Sequence, residues 1–205
     1  MSRLTCSRCL RPLSVCYCSQ LTLQHNRWPV QIIQDSQESR HALGTARIAA
    51  LSLSNCRLIH VDPDKQHADS MAELRALQVL QPVLIYPGAH ADNLTSLSSH
   101  SPRPLIFIDA SWRRSRKLLH SLPWLGELPR YALQPSVPSR YRIRRQPGVG
   151  TLSTLEAIVL TLETLEFPPG KLDSMLATMD WVVDQQIRYM GHDVYQSNYQ
   201  DKEYK

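Results

Sequence analysis

The stretch Pro104-Leu105-Ile106-Phe107-Ile108-Asp109-Ala110-Ser111-Trp112-Arg113-Arg114-Ser115-Arg116-Lys117 passes abruptly from an apolar run into acid, hydroxyl, indole and clustered base. The apolar run follows a proline and contains β-branched and aromatic members, which reads as a fully buried strand, although so short a run does not by periodicity alone exclude a buried helix segment. Ligands sit at strand ends in open α/β sheets, so the strand would deliver Asp109 to an edge where chemistry is done. Two roles are open to that carboxylate. It can cap the helix-like segment from Trp112 to Leu119, accepting a bond from a first-turn amide, or it can act on a ligand. Trp112 has the same two readings, a core residue or a ligand contact, with the core the commoner because its large apolar area favours burial.

Working outward, the flanking chain repeats the pattern of strand, polar loop, helix. Before the opening stretch, Val30 to Ile33 reads as a first strand running into Gln34-Asp35-Ser36-Gln37-Glu38 and then Arg40-His41. Gly44-Thr45-Ala46-Arg47 leads an Ala/Leu-rich helix through Leu53, with Arg47 either solvated or turned to a ligand. Arg57 to Val61 is a second strand candidate closed by Asp62-Pro63-Asp64, and Met71 to Leu80 has helical spacing of its apolar positions. Pro82 to Tyr86 is a third strand, stopped by Pro87-Gly88, where a residue without a side chain lets main chain approach a flat ligand or simply makes a turn. Asp92 to Ser101 is Ser-rich and reads as a surface loop.

After it, Leu122-Pro123-Trp124 and Leu128-Pro129-Arg130-Tyr131 break regularity. Arg140-Tyr141-Arg142-Ile143-Arg144-Arg145 resumes it with a period of two that would place Arg140, Arg142 and Arg144 on one face of a strand. Three guanidiniums in a row repel one another unless an anion is present, which favours phosphate contact over a merely solvated face. Gln146 to Thr151 is a glycine-containing loop, and Ser153-Thr154-Leu155-Glu156 matches a capping box, so the loop feeds a helix N-terminus whose free amides attract anions. Pro168-Pro169-Gly170 ends that helix. Leu172 to Ile187 marks a last one, of about five turns, whose methionines read as core filler. The tail from Gly191 is polar and tyrosine-rich. Alternating strands and helices imply an α/β fold with a mostly parallel sheet, and chemistry collects at the loops after Ile33, Tyr86, Ile108 and Arg145.

A 205-residue chain that is 42% hydrophobic and 20% charged is long enough for one well-buried domain with a small appendage. Its formal charge of +5 is concentrated at 103–117 and 140–145, which makes a polyanion the natural partner. No run of about 18 apolar residues occurs, and the N-terminus lacks a charged, apolar, small-residue order, so neither a membrane span nor a secretory signal is expected and the protein is expected in the cytoplasm. At the N-terminus, four of the five cysteines fall inside thirteen residues as CxxC and CxC: Cys6, Cys9, Cys16 and Cys18. Two chelating loops with four thiolates suit tetrahedral zinc, in a structural role because four sulfurs leave no open position. Free or redox thiols are the alternative. Cys56 stands apart and reads as a small buried hydrophobe.

Taken together, CxxC with CxC, Gly44-Thr45-Ala46-Arg47, Tyr86-Pro87-Gly88, Asp109-Ala110-Ser111-Trp112 and Leu152-Ser153-Thr154-Leu155-Glu156-Ala157 resemble the DTW-domain family, tRNA-uridine aminocarboxypropyltransferases related to the SPOUT superfamily. The likeness runs from about Cys6 to Arg188. It departs from the family pattern at Ser111, where a threonine is usual, and at Asp35-Ser36-Gln37-Glu38, where many members have His-Pro-x-Glu.

The resemblance implies a SPOUT-like α/β fold with helices on both faces of the sheet and a C-terminal trefoil knot. Its expected parts are a zinc knuckle at 1–24, an S-adenosylmethionine-binding catalytic domain at 25–190 and a polar tail at 191–205. It also implies transfer of the 3-amino-3-carboxypropyl group of S-adenosylmethionine to N3 of a uridine in tRNA, with methylthioadenosine released. In that reading Asp109 takes the imide proton, or orients the uracil while water takes it, and Trp112 shapes the pocket or stacks on a base. The donor is held by Thr45, Arg47, Ile85, Tyr86, Pro87, Gly88, Ser111, Leu152, Ser153 and Thr154. The tRNA backbone is held by Arg113, Arg114, Arg116, Lys117, Arg140, Arg142, Arg144 and Arg145. A SPOUT-type RNA methyltransferase and a non-catalytic zinc-containing RNA-binding protein are the competing expectations.

Overall fold

Strands buried on both faces and helices with one apolar side pack here into three layers, seen in a computed structural model that describes residues 4–40, 44–65, 68–135, 138–143 and 151–200. The six strands are β1 (Val30–Asp35), β2 (Cys56–Val61), β3 (Val83–Ile85), β4 (Asp92–Asn93), β5 (Leu105–Asp109) and β6 (Arg130–Ala132). They form one sheet in the order β2-β1-β5-β3-β6-β4, and every neighbouring pair is parallel. All six residues of β1 are buried, which is why the central strands read as near-continuous apolar runs.

Helices cover both faces. α1 (Ala46–Ser52), α5 (Thr154–Leu165) and α6 (Asp173–Met190) pack on one, with Val30, Ile32, Leu105 and Phe107 beneath them. On the other, α2 (Ala68–Val79), α3 (Trp112–Ser121) and α4 (Pro123–Glu127) cover Ile33, Ile59, Leu84 and Ile106. The side chains of a strand alternate between faces, so Gln34 and Asp109 belong to the α5 side and Asp35 to the α3 side. Ile106 is wholly buried, and its truncation to alanine would cost about 2–5 kcal/mol.

The connection leaving β1 leads outward to β2, whereas the one leaving β5 leads to β6 on the opposite side. The chain therefore diverges at the carboxyl ends of β1 and β5, and this crevice is where an open α/β sheet takes its ligand. Asp109 is the last residue of β5 and stands in register with Gln34 of β1.

Several elements differ from the sequence expectation. Arg130–Ala132 is a strand paired with β3 and not an interruption, and Pro123 opens a short helix from its first turn, where the missing amide proton costs nothing. The Ser-rich segment holds β4 and a 3-10 turn, Leu94–Ser99, which Asn93 caps and which buries Leu94 and Leu97. Residues 138–143 form turns and not the strand anticipated from alternating arginines, and 144–150 lie outside the described residues.

The four-cysteine segment and the C-terminal segment are not separately packed. Cys9, Tyr17 and Tyr195 belong to the same core as β1 and α5, and Thr178 of α6 donates to the Gln20 carbonyl at 3.0 Å. The tail folds through Gln200, as α7 (His192–Tyr195) and one π turn. No helix among the described residues is long and apolar enough to cross a membrane.

Candidate active site and metal centre

Asp109 is 6% exposed. Its Oδ2 accepts the side-chain amide of Gln34 at 2.7 Å, and its Oδ1 accepts the hydroxyl of Thr154 at 2.5 Å. Three elements thus fix one carboxylate at the crevice: β5 supplies it, β1 one donor, and the first turn of α5 the other. Asp109 does not cap α3. Ser111 does, in extended backbone conformation, accepting the Arg114 amide at 3.4 Å. Geometry rules out the capping role, because a residue still inside the strand cannot also sit at the helix entry. On the rim of the same sheet face, His60 of β2 is in register with Gln34. Its imidazole is held below its ordinary pKa by burial first and then by the Arg47 guanidinium. Arg47 is half-buried and forms no ion pair among the described residues.

On the α3 side, Asp35 is fully buried and pairs with Nε of Arg114 at 2.7 Å. The same guanidinium reaches Asp64 at 3.2 Å and Asp62 at 4.0 Å, and Asp64 also pairs with Lys117. Bonding to Asp35 raises the Arg114 pKa, and the Lys117 ammonium beside Asp64 lowers that carboxyl. Arg114 and Lys117 therefore join the ends of β1 and β2 to α3, where the sequence had suggested free tRNA contacts. Arg113 and Arg116 remain exposed on the solvent side.

Trp112, expected in a core or on a ligand, is 43% exposed and packs edge-on against Tyr86 with centroids 5.9 Å apart. Tyr86 in turn shares a hydrogen bond with Ser115 at 2.8 Å, and the Arg130 guanidinium lies 5.6 Å from its ring centroid. Gly88 is needed here for close approach: a Cβ at this position would stand 2.9 Å from Nη1 of Arg130. The room it leaves is taken by Arg130, whereas the Pro-Gly pair alone had suggested room for a ligand.

The N-terminus of α5 is occupied by the protein's own anion. Ser153 and Glu156 form a complete capping box. The Glu156 carboxylate, 7% exposed, accepts the Ser153 amide at 2.7 Å, the Ser139 hydroxyl at 2.8 Å and the Arg140 amide at 2.6 Å. Both polar groups of Ser153 are thus committed inside the fold, its hydroxyl also lying 3.5 Å from the Met179 sulfur. Arg140 pairs with Asp180 and Arg142 with Asp184, both on α6, so the anions facing these arginines are carboxylates of the chain itself.

Of the other anticipated donor contacts, Thr45 is buried at the entry of α1, Ile85 is in the core, Pro87 is exposed and Leu152 is half-buried beside the capping box. Arg144 and Arg145 lie outside the described residues. Gln34, Asp35, Arg130 and Glu156 were not expected at the site. Only the S-x-x-E spacing pointed to Glu156; Gln34 and Asp35 stood in the polar loop, and their depth in β1 has no local signature.

The sulfurs of Cys6, Cys9, Cys16 and Cys18 all lie within 4.8 Å of one another, with Cys6–Cys18 and Cys9–Cys16 at 3.7 Å. Four sulfurs about 2.3 Å from a tetrahedral zinc are about 3.8 Å apart, so this arrangement fits the metal. The turn that presents the first pair is closed by the Leu10 amide on the Cys6 carbonyl at 3.0 Å. Leu10 has a φ of 59°, a left-handed conformation that a branched residue adopts only when its surroundings demand it. Main-chain amides of Cys9 and Arg8 hold the Cys6 thiol down at about 6, while burial raises Cys9 and pushes Cys18 up to about 12. A cation held by all four would convert each to thiolate.

A parallel α/β sheet with a buried carboxylate at its switch point, joined through one core to a cluster of four cysteine sulfurs that could hold a metal, defines the class of this protein. The chain belongs to the DTW domain family, whose model matches residues 3–187. It is 31% identical over 172 residues to tRNA-uridine aminocarboxypropyltransferase 2 of Drosophila melanogaster, a match covering 80% of this chain and 67% of that protein. The proteins of the same name from Macaca fascicularis and Mus musculus are 31% and 32% identical, each match covering 78% of this chain and 56% of the relative. The chain thus spans little more than half the length of the two mammalian relatives. No solved structure matches it.

Proposed function

We propose that this protein transfers the 3-amino-3-carboxypropyl group of S-adenosylmethionine to N3 of a uridine in tRNA. The reading rests on its relatives' names and, in the molecule itself, on Asp109, a buried carboxylate fixed by two donors at the sheet's switch point. A sulfonium activates all three carbons bound to it, so the geometry in which the donor is held decides which one reaches the nucleophile. Attack by N3 requires loss of the imide proton, and Asp109, within hydrogen-bond reach of a uracil in the crevice, accepts it. Exposed Trp112 offers a face on which a base stacks. Arg113 and Arg116 face the RNA backbone. Because Ser153 is committed to Glu156, the donor's carboxylate falls to Arg47, a cation on the same sheet face without an ion-pair partner among the described residues. Zinc, held by the four cysteines, has a structural role. The SPOUT-like threading of the C-terminal third and a cytoplasmic location belong to this reading as well.

Mass analysis of nucleosides from bulk tRNA incubated with the protein and donor tests it. A uridine carrying the aminocarboxypropyl group, lost at least about 10²-fold in rate with Asp109→Asn, is the expected result. Unmodified nucleosides would overturn it, and donor methyl label appearing in RNA would replace it with methyl transfer.

A further inference from the structure

Gln34 is 3% exposed, yet only half of its amide is bonded. Its nitrogen donates to Oδ2 of Asp109 at 2.7 Å, and its carbonyl oxygen is buried with no hydrogen-bond partner among the described residues. A buried acceptor left without a donor costs about 1–3 kcal/mol, so a residue kept only to fill space would be better served by an apolar side chain. Rotating the amide offers no relief, because it would set the carbonyl against the Asp109 carboxylate. The orientation is therefore dictated by Asp109, and the open acceptor is the cost of serving it. Gln34 is in register with Asp109 on one side and His60 on the other, at the sheet edge where the chain diverges.

We propose that Gln34 is the positioning residue for Asp109. This inference rests on the transfer reading above. The two hydrogen bonds do different work. Thr154 ties Oδ1 to the first turn of α5, while Gln34 ties Oδ2 to the neighbouring strand, so together they fix the plane of the carboxylate and aim its remaining lone pairs into the crevice. With only one donor the carboxylate would swing about χ2, and a displacement of about 1 Å at a reacting group is worth roughly 10²-fold in rate. Gln34 does not itself take the proton. Its effect belongs to the rate of transfer and not to the affinity for donor or tRNA.

The experiment uses the full chain, bulk tRNA and S-adenosylmethionine labelled in the aminocarboxypropyl group, comparing wild type with two near-isosteric variants, Gln34→Met and Gln34→Glu. Both preserve volume and lack the N–H; Gln34→Met removes the donor alone, and Gln34→Glu, assayed at a pH where both carboxyls are ionised, also sets a second carboxylate against Asp109. Expected is a fall in kcat of about 10- to 100-fold for each, with donor KM and tRNA Kd within about twofold of wild type and melting showing a folded protein. Wild-type kcat in either variant overturns the proposal, because packing alone would then suffice. A loss expressed in donor KM also overturns it and assigns Gln34 to donor binding. Should Gln34→Met fail to fold, Gln34→Asn, which keeps the amide but withdraws it by one methylene, must show the same loss in kcat at unchanged KM. Wild type without transfer to tRNA would instead refute the proposed function, and this inference with it; the two failures are told apart by the wild-type measurement.

Discussion

Arg114 lies in a cluster of four basic residues on α3, and charge alone makes it look like its neighbours. Its side chain is nonetheless only 15% exposed and is bound to a fully buried Asp35, whereas Arg113 and Arg116 face solvent. Position on the helix decides this: Ser115 and Leu118 are buried, so Arg114 sits on the flank facing the sheet. The sequence showed how much charge the segment has but not its direction, because Asp35 is 79 residues away and leaves no local trace. A sharp difference in behaviour follows. Arg113→Ala and Arg116→Ala should each flatten the salt dependence of tRNA binding by about one in log–log slope, as expected for one phosphate contact each. Arg114→Ala should leave that slope unchanged and lower folding stability by about 3 kcal/mol, since it strands a buried carboxylate. Filter binding across a salt series together with urea melts distinguishes them, and a flattened slope for Arg114→Ala would return that residue to the RNA surface.

Among the elements, the segment 138–143 shows how a correct local pattern leads to a wrong assignment. The alternation is present: Tyr141 and Ile143 are buried while Arg140 and Arg142 are exposed. What is missing is a partner strand. The Arg140 amide donates to Glu156 and the Tyr141 amide to the Ser139 hydroxyl, so the segment runs as a strap across the start of α5, not beside a strand. A period of two identifies side-chain direction and not backbone partners. The β6 strand failed for the opposite reason, since three residues after a proline are too few to display any period. β1, β5 and α6 were legible because their apolar patterns are long or dense, and the capping box of α5 because it is encoded within four residues. Glu156 now carries both the cap and the strap. Glu156→Ala should therefore cost more than an ordinary cap, about 2–4 kcal/mol against about 1, and hydrogen exchange at the Arg140 amide should accelerate well beyond that of α5. Equal acceleration throughout both would mean that the strap is not held through Glu156.

At the scale of the whole molecule, the four-cysteine segment shares the main core instead of hanging from it. Cys9 and Tyr17 are each 3% exposed within the cluster that contains β1, α5 and α6, and Gln20 is bonded to Thr178 on α6. The CxxC and CxC spacing made the four ligands legible, but nothing local to them indicated this docking, because the surfaces that meet are more than 150 residues apart in the chain. A metal held by the four cysteines would therefore be coupled to folding of the entire chain. Purified protein should contain about one zinc per chain, and stripping it with a chelator should lower Tm by at least about 10 °C while the protein still melts in a single transition. Acid should act in the same direction, because thiolates that take up protons release the metal. If the segment were an independent knuckle, chelation would instead remove a small early transition and leave the main one where it was. Calorimetry with and without chelator separates these outcomes, and a single transition that falls as a whole requires the metal centre and the sheet bearing Asp109 to be one cooperative unit.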